Sequence, residues 1–429
     1  MKTREIKNTY LLLASLFALL AVSCVEQFEA ETLEFQSLLV VDARLTDKVG
    51  QQTIYLSRTF EFESEAPSPE QNAAVTVLSE SGVVFRFEEE GSGAYTSVSS
   101  LQLSHEDRYQ LQIITSNGAT YTSDFERLPQ PLPIEDVKAI RRTNNTGLDG
   151  VAIVLNTAAA SGQPQFFRYE YEETYKIIAP EYNPFEWDQI DYDINDGDGW
   201  EVTLQAREEE ARICYASNAS NNLILASSEG SSFSGIKDFE VRFLSRENYF
   251  IAHRYSILVK QFHHSVNANS FFKSLQDFSS FDDVFSNVQP GLLEGNIRSN
   301  SEEDLVLGFF ELSTYTEKRF FFNYEDHFPG EPLPPYIINC SVGAPPLYPD
   351  GFHFTPAGDG SFVIDGNGNS PLIEGILAGL YDYHADNPGY EDWLATEGLS
   401  GAAPYLVLPS GCGDCRRFGS VVPPDFWEE

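Results

Sequence analysis

The chain has 429 residues, of which 42% are hydrophobic and 13% aromatic, with a formal net charge of −38. That much apolar and aromatic material excludes a disordered acidic tail, and the charge excludes nucleic acid and anionic surfaces as partners. Chain length points to two or three domains at roughly 100–200 residues each.

Residues 1–23 read as a signal peptide. Lys2, Arg4 and Lys7 precede an uncharged, mostly apolar run from Tyr10 to Val22, too short to cross a bilayer comfortably and suited to a cleaved segment. Ala21-Val22-Ser23-Cys24 resembles a lipobox, with small residues before an acylatable thiol, although leucine is more usual where Ala21 stands. The expectation is cleavage before Cys24 and lipidation at that residue. Residues 24–36, with Glu26, Glu29, Glu31 and Glu34, then form an acidic tether. No later apolar run is long enough to span a membrane, so the mature chain is anchored, not inserted. It keeps 24 Lys and Arg against 64 Asp and Glu, a charge of −40 that attracts divalent cations.

Residues 37–128 are expected to form an immunoglobulin- or fibronectin-like β-sandwich. Leu38–Leu45, Gln52–Arg58, Ala73–Glu80, Val83–Glu88, Ala94–Val98, Tyr109–Thr115 and Thr120–Phe125 are seven short runs separated by turn-formers. Glu80-Ser81-Gly82 and Ser116-Asn117-Gly118 are hairpin signals, because Gly and Asn tolerate positive φ. Pro129, Pro131 and Pro133 mark a stiff boundary.

Residues 129–329 are read as a second β-sandwich with one inserted helix. Its strands are Gly150–Thr157, Phe166–Ile178, Ile236–Leu244, Tyr255–Phe262, Leu305–Ser313 and Lys318–Tyr324, with the acidic stretch Glu181–Glu201 as a long loop. Ser265–Phe278 is the clearest helix. Ser265 can cap it, and Val266, Phe271, Phe272, Leu275 and Phe278 lie near one face. From Gly330 to the end the chain turns Pro- and Gly-rich, with a helix at Pro371–Tyr381. Residues 330–429 are expected as an irregular, disulfide-stapled segment packed on the second domain.

With Cys24 assigned to lipid, Cys214, Cys340, Cys412 and Cys415 remain, an even number in an exported chain and hence disulfide candidates with three connectivities. Cys412-Gly413-Asp414-Cys415 has the spacing of a redox dithiol. Pro423 and Pro424 deny it the following helix that would lower a thiol pKa, so bonds to Cys340 and Cys214 are preferred. Asp191, Asp193 and Asn195 alternate as calcium ligands would, as do Asp365, Asn367 and Asn369. Neither series has the glycine after its third ligand or a closing glutamate, and Asx turns explain both. His263 and His264 end a strand and therefore face opposite sides, one expected solvated and one half-buried. Phe271-Phe272, Phe320-Phe321-Phe322 and Phe352-His353-Phe354 are read as core, with some rings left for a partner.

Several segments together resemble a lipoprotein family of Bacteroidota catalogued as domain of unknown function 4249. They are Leu39-Val40-Val41-Asp42, Ala73–Val77, Gly93-Ala94-Tyr95, Arg254-Tyr255-Ser256-Ile257 with Lys260-Gln261, and Gln289-Pro290 with Gly295-Asn296-Ile297. To these add Val306-Leu307-Gly308-Phe309-Phe310, the Cys412–Cys415 motif, Gly419, and Pro424-Asp425-Phe426-Trp427. The resemblance runs from about residue 24 to the end. It implies a lipid-anchored outer-membrane protein of a family often encoded beside TonB-dependent receptors, and it carries over no catalytic residue. The resulting expectation is a non-enzymatic accessory protein that helps such a receptor capture a ligand, without a cofactor unless calcium occupies the acidic loop. A glycan or peptide hydrolase with an interdomain site and a surface adhesin are the alternatives.

Overall fold

The structure is a computed structural model that describes residues 37–429 apart from 61–66, 159–162, 194–198, 232, 280–292, 294, 302–304, 349–352, 357–361, 366–369 and 399. The signal peptide, Cys24 and the tether lie outside the described residues. So do Asn195, Asn367, Asn369 and Gln289-Pro290, together with the side chains of Asp193, Phe352, His353, Phe354 and Asp365.

The first domain contains β1 (Leu39–Thr46), β2 (Thr53–Arg58), β3 (Ser68–Pro69), β4 (Ala74–Ser79), β5 (Val84–Gly91), β6 (Ala94–Ser97), β7 (Tyr109–Ile114) and β8 (Thr120–Ser123). All seven expected strands are present. Both hairpin signals turn the chain where expected, between β4 and β5 and between β7 and β8. In Tyr109–Ile114, Tyr109, Leu111 and Ile113 are buried, as strict alternation requires.

The second domain adds β9 (Ile134–Thr143), β10 (Asp149–Thr157), β11 (Phe166–Ile178), β12 (Phe185–Asp193), β13 (Gly199–Ala206), β14 (Ile213–Ala219), β15 (Ile224–Ser227), β16 (Phe239–Ser245) and β17 (Arg254–His264). After these come α1 (Val266–Ser279), β18 (Ile297–Ser299) and β19 (Val306–Asn323). The Ser265 hydroxyl accepts from the Ala268 N–H at 3.2 Å and caps α1 as expected.

The two runs expected as separate strands, Leu305–Ser313 and Lys318–Tyr324, are one eighteen-residue strand. The first half of β19 pairs in parallel with β1, and the second half pairs antiparallel with β17. The result is a single sheet in the order β14-β11-β17-β19-β1-β2-β6-β5-β4-β7-β8-β18. At one end it curls over, so that Ile297 on β18 joins Leu39, Val41, Tyr95, Leu111 and Phe310 in one core. At the other, β14-β11-β17-β19 faces the small sheet β16-β10-β9, and Phe167, Tyr169, Ile257 and Phe322 meet Ile153 and Leu155 between them. Residues 297–299 and 306–313, expected with the second sandwich, thus pair with β8 and β1.

Two glycines and an asparagine make the crossing tight. Gly308 has φ +131°, and a Cβ there would lie 2.0 Å from the Val41 carbonyl oxygen. A Cβ on Gly295 would lie 1.7 Å from the Gly308 carbonyl oxygen. The buried Asn296 side chain donates to the Phe310 carbonyl at 3.0 Å and accepts the Phe310 N–H at 2.8 Å, so it acts as a short strand for β19. Its amide also donates to Glu126 at 3.0 Å, and burial raises that carboxyl's pKa.

The acidic stretch is not a loop. Its residues 185–193 and 199–206 pair as a hairpin, because Trp187, Ile190, Trp200 and Val202 supply an apolar face hidden in the sequence by intervening charges. That face packs on Leu347, Tyr348, Leu372, Ile373 and Val407 of the C-terminal segment. The segment is more regular than expected, with β20 (His353–Pro356), β21 (Phe362–Asp365), α2 (Pro371–Leu377), β22 (Tyr381–Asp386), α3 (Tyr390–Glu397) and β23 (Tyr405–Pro409). The helix expected to reach Tyr381 stops at Leu377, and Tyr381 opens β22 instead.

Each cysteine of the CxxC motif bonds elsewhere, Cys412 to Cys340 and Cys415 to Cys214. Buried Asp382 accepts the Gly411 and Gly413 N–H groups at 2.9 Å and fixes the loop around Cys412. The final residues close the fold. Trp427 packs edge-on against Tyr215 and Phe321, Arg319 lies 3.4 Å above the Phe426 ring, and Lys176 pairs with Glu429 at 2.8 Å.

Replacing Gly308 by Ala should lower stability by about 3 kcal/mol or more, since it forces both an unfavourable φ and a backbone clash. Denaturant unfolding followed by tryptophan fluorescence measures this, and a loss below about 1 kcal/mol would mean that the β1–β19 contact is looser than described.

Candidate functional site

Where the two domains share β19, three charged or polar side chains from adjacent strands meet out of water. Glu311 on β19 is 0% exposed, and Arg168 on β11 and His264 on β17 are each 2% exposed. The Arg168 guanidinium donates to Glu311 Oε2 at 3.2 Å, and His264 Nδ1 donates to Glu311 Oε1, also at 3.2 Å. A carboxylate accepts only, so this bond fixes the ring with its hydrogen on Nδ1. Burial alone would raise the Glu311 pKa. The charges of Arg168, His264 and Arg44 together with the histidine hydrogen bond outweigh it and hold the group at about 2. Arg168 also bonds Glu170 and lies 4.1 Å above the Phe262 ring, while His264 stacks on Phe272 of α1 at 5.6 Å.

Both histidines are buried, so the expectation of one solvated and one half-buried ring is corrected. They do face opposite sides of β17. His263 stacks against Phe167 on the core side and donates Nδ1–H to the Gln130 carbonyl at 2.9 Å. That bond belongs to a set that holds the proline linker. His105 bonds the Pro129 carbonyl at 3.0 Å, and the Gln261 amide donates to the Leu132 carbonyl at 2.6 Å. Burial lowers the His263 pKa to about 4, more than its hydrogen bond to Gln130 raises it.

On the outer face of the shared sheet, α1 overhangs an apolar groove of about 730 Å3 bounded by Val40, Leu223, Phe271, Phe272, Leu275 and Phe309. At Asp42 and Arg44 it runs into a smaller polar groove of about 200 Å3, walled by Tyr55, Arg168, Glu170 and Phe262. Both domains therefore line one continuous surface, with Tyr55 and Leu275 exposed at its rim. Phe271 and Phe272 are mostly buried beneath it, and Phe322 lies in the second core.

Of the candidate residues named from sequence, the four cysteines are paired, and Asp191 is exposed on β12. Among the described residues, no group of three His, Cys, Asp or Glu could hold a metal ion. Sequence reasoning missed Arg168 and Glu311. The signal was present: each interrupts a run of large apolar residues, Phe166-Phe167-Arg168-Tyr169 and Phe309-Phe310-Glu311-Leu312, with opposite signs.

The described residues thus form a β protein in which one long strand enters two hydrophobic cores and carries a buried ion cluster. Its family follows from comparison. A family model described as Domain of unknown function (DUF4249) matches residues 25–319, and the chain belongs to that family. The match takes in β1, the linker, α1 and the first half of β19, the elements that build the shared surface. A search of curated proteins finds no match.

Two outcomes test this geometry. Arg168→Met leaves Glu311 buried without its main partner and should cost about 3–5 kcal/mol, whereas the double variant Arg168→Met, Glu311→Gln should recover most of that loss. For His263, the folded pKa of about 4 lies below the ordinary 6.5. The unfolded chain therefore takes up a proton between these values that the folded chain refuses. The stability from neutral His263 is complete above pH 6.5 and is lost as pH falls towards 4. Denaturation at pH 7 and pH 4.5 should show His263→Gln losing less stability over that interval than the parent, by on the order of 2 kcal/mol.

Proposed function

We propose that the chain is a non-enzymatic accessory lipoprotein, anchored at the outer membrane through lipid on Cys24. In this reading it docks on a TonB-dependent receptor and helps capture that receptor's ligand. The observation that carries this reading is the groove on the outer face, formed jointly by β1, β19 and α1 and backed by the buried Arg168–Glu311–His264 cluster. A rigid surface of this kind, apolar at one end and charged at the other, suits docking with little reorganisation. The net charge of −38 supports a receptor face that is basic. The lipobox and the family resemblance support the address.

The test is affinity purification of tagged protein from solubilised outer membranes. The expected result is stoichiometric recovery of a TonB-dependent receptor, reduced at least about tenfold by the pair Tyr55→Ala and Leu275→Asp at the groove rim. Cys24→Ala should shift the protein from the membrane to the soluble fraction. Recovery of the protein alone, or equal receptor recovery with the rim variant, would overturn the docking reading.

A further inference from the structure

Residues 420–429 lie across the far end of the outer sheet face. Lys176, which they contact, is on the same side of β11 as Arg168, roughly 26 Å further along at ~3.3 Å per residue. Ser420 exchanges both backbone hydrogen bonds with Tyr215 on β14, at 2.8 and 2.9 Å. Val422 and Pro423 then stand exposed, Val422 at 69%. Phe426 and Trp427 return to the sheet, Phe426 under Arg319 and Trp427 edge-on to Tyr215 and Phe321. Arg254 donates to the Glu428 carbonyl, while Lys176 and the Tyr215 hydroxyl donate to the Glu429 carboxylate at 2.8 and 3.2 Å. Beside Glu429 the site opens into a cavity of about 420 Å3 lined by Lys176, Arg254, Asn323 and Tyr324.

We infer that this is a recognition site for an aromatic–acidic segment, filled here by the chain's own residues 424–429, and that a second copy supplies the same segment by exchange. Among the described residues, no backbone–backbone hydrogen bond joins residues 421–429 to the sheet, and the Trp427 N–H bonds the Pro424 carbonyl within the segment. Lifting the segment therefore breaks no strand pairing. What holds it is ring packing and charges at an exposed end, where ion pairs are weak. Pro423 and Pro424 make a stiff spacer, so rotation at exposed Val422 swings the segment away as one piece. Reciprocal exchange then remakes every contact between copies, which is a low-cost route to a dimer.

Charge selects the occupant. Two copies of net charge −38 repel, so they associate only where acid meets cation. Lys176, Arg254 and Arg319 converge here beside the rings of Tyr215 and Phe321, and Phe426-Trp427-Glu428-Glu429 is their complement. This inference goes beyond the receptor reading and uses none of the groove residues.

The experiment is co-purification of two differently tagged full-length forms from detergent solution. A donor form carries Arg254→Glu and Phe321→Ala, which break the site and keep the segment. An acceptor form carries Phe426→Ala and Trp427→Ala, which empty the site and keep its walls. Donor and acceptor should co-elute at least about tenfold more than donor with donor or acceptor with acceptor. These like pairs also measure any sharing of micelles. A soluble peptide of residues 422–429 should separate the pair, and the same peptide with alanine in place of Phe426 and Trp427 should not. The parent protein under two tags gives the same reading without substitution: it should co-elute with itself and be separated by the native peptide. Equal recovery of like and unlike pairs from folded variants, or parent copies that do not co-elute, would overturn the proposal. So would a complex that both peptides leave intact.

Discussion

One strand belongs to two cores. β19 runs parallel to β1 through its first half and antiparallel to β17 through its second, so neither domain's sheet is complete without it. Parallel neighbours need a long crossover connection, and here the crossover includes the whole of the second domain up to β18. Phe310 and Leu312 point into the first core, while Phe322 points into the second. The chain can slip at neither end without emptying a core, since a shift of one residue turns every side chain to the other face.

Glu311 lies a third of the way along that strand, on the face opposite the two cores, and its charge is matched from two other strands. A buried ion cluster of this kind adds little net stability compared with well-packed apolar residues, but it strongly penalises any arrangement that separates its members. Its role here is to fix register across β11, β17 and β19. α1 covers the cluster with Phe272, and in doing so forms the roof of the outer groove. The joint between the two cores therefore also shapes the surface proposed for a partner.

Much of the first domain was legible because its strands are half-buried. Alternation in Val41, Ala43 and Leu45 and in Tyr109, Leu111 and Ile113 registers one wet and one dry face, and Gly82 and Gly118 punctuate the turns. The hairpin at 185–206 was hidden, because its dry face is covered by residues more than 140 positions away, including Leu347 and Val407, and acidic residues fill the remaining positions. β19 read as two strands because Thr314, Thr316 and Glu317 break its apolar run where it passes from one core to the other. Arg168, His264 and Glu311 were illegible as a set: 143 residues separate the first from the last, and only the β11-β17-β19 order brings them together. The glycines at 295 and 308 were noted as motif letters, and their reason is backbone contact with β1 and with each other.

The central claim is that the two β domains form one cooperative unit through β19. Native-state hydrogen exchange along a denaturant series tests it most directly, by comparing amides of β1 with amides of β17. The account predicts that both sets open together with the same free energy and the same dependence on denaturant. Exchange of β17 by a separate, lower-energy opening while β1 stays protected would contradict it.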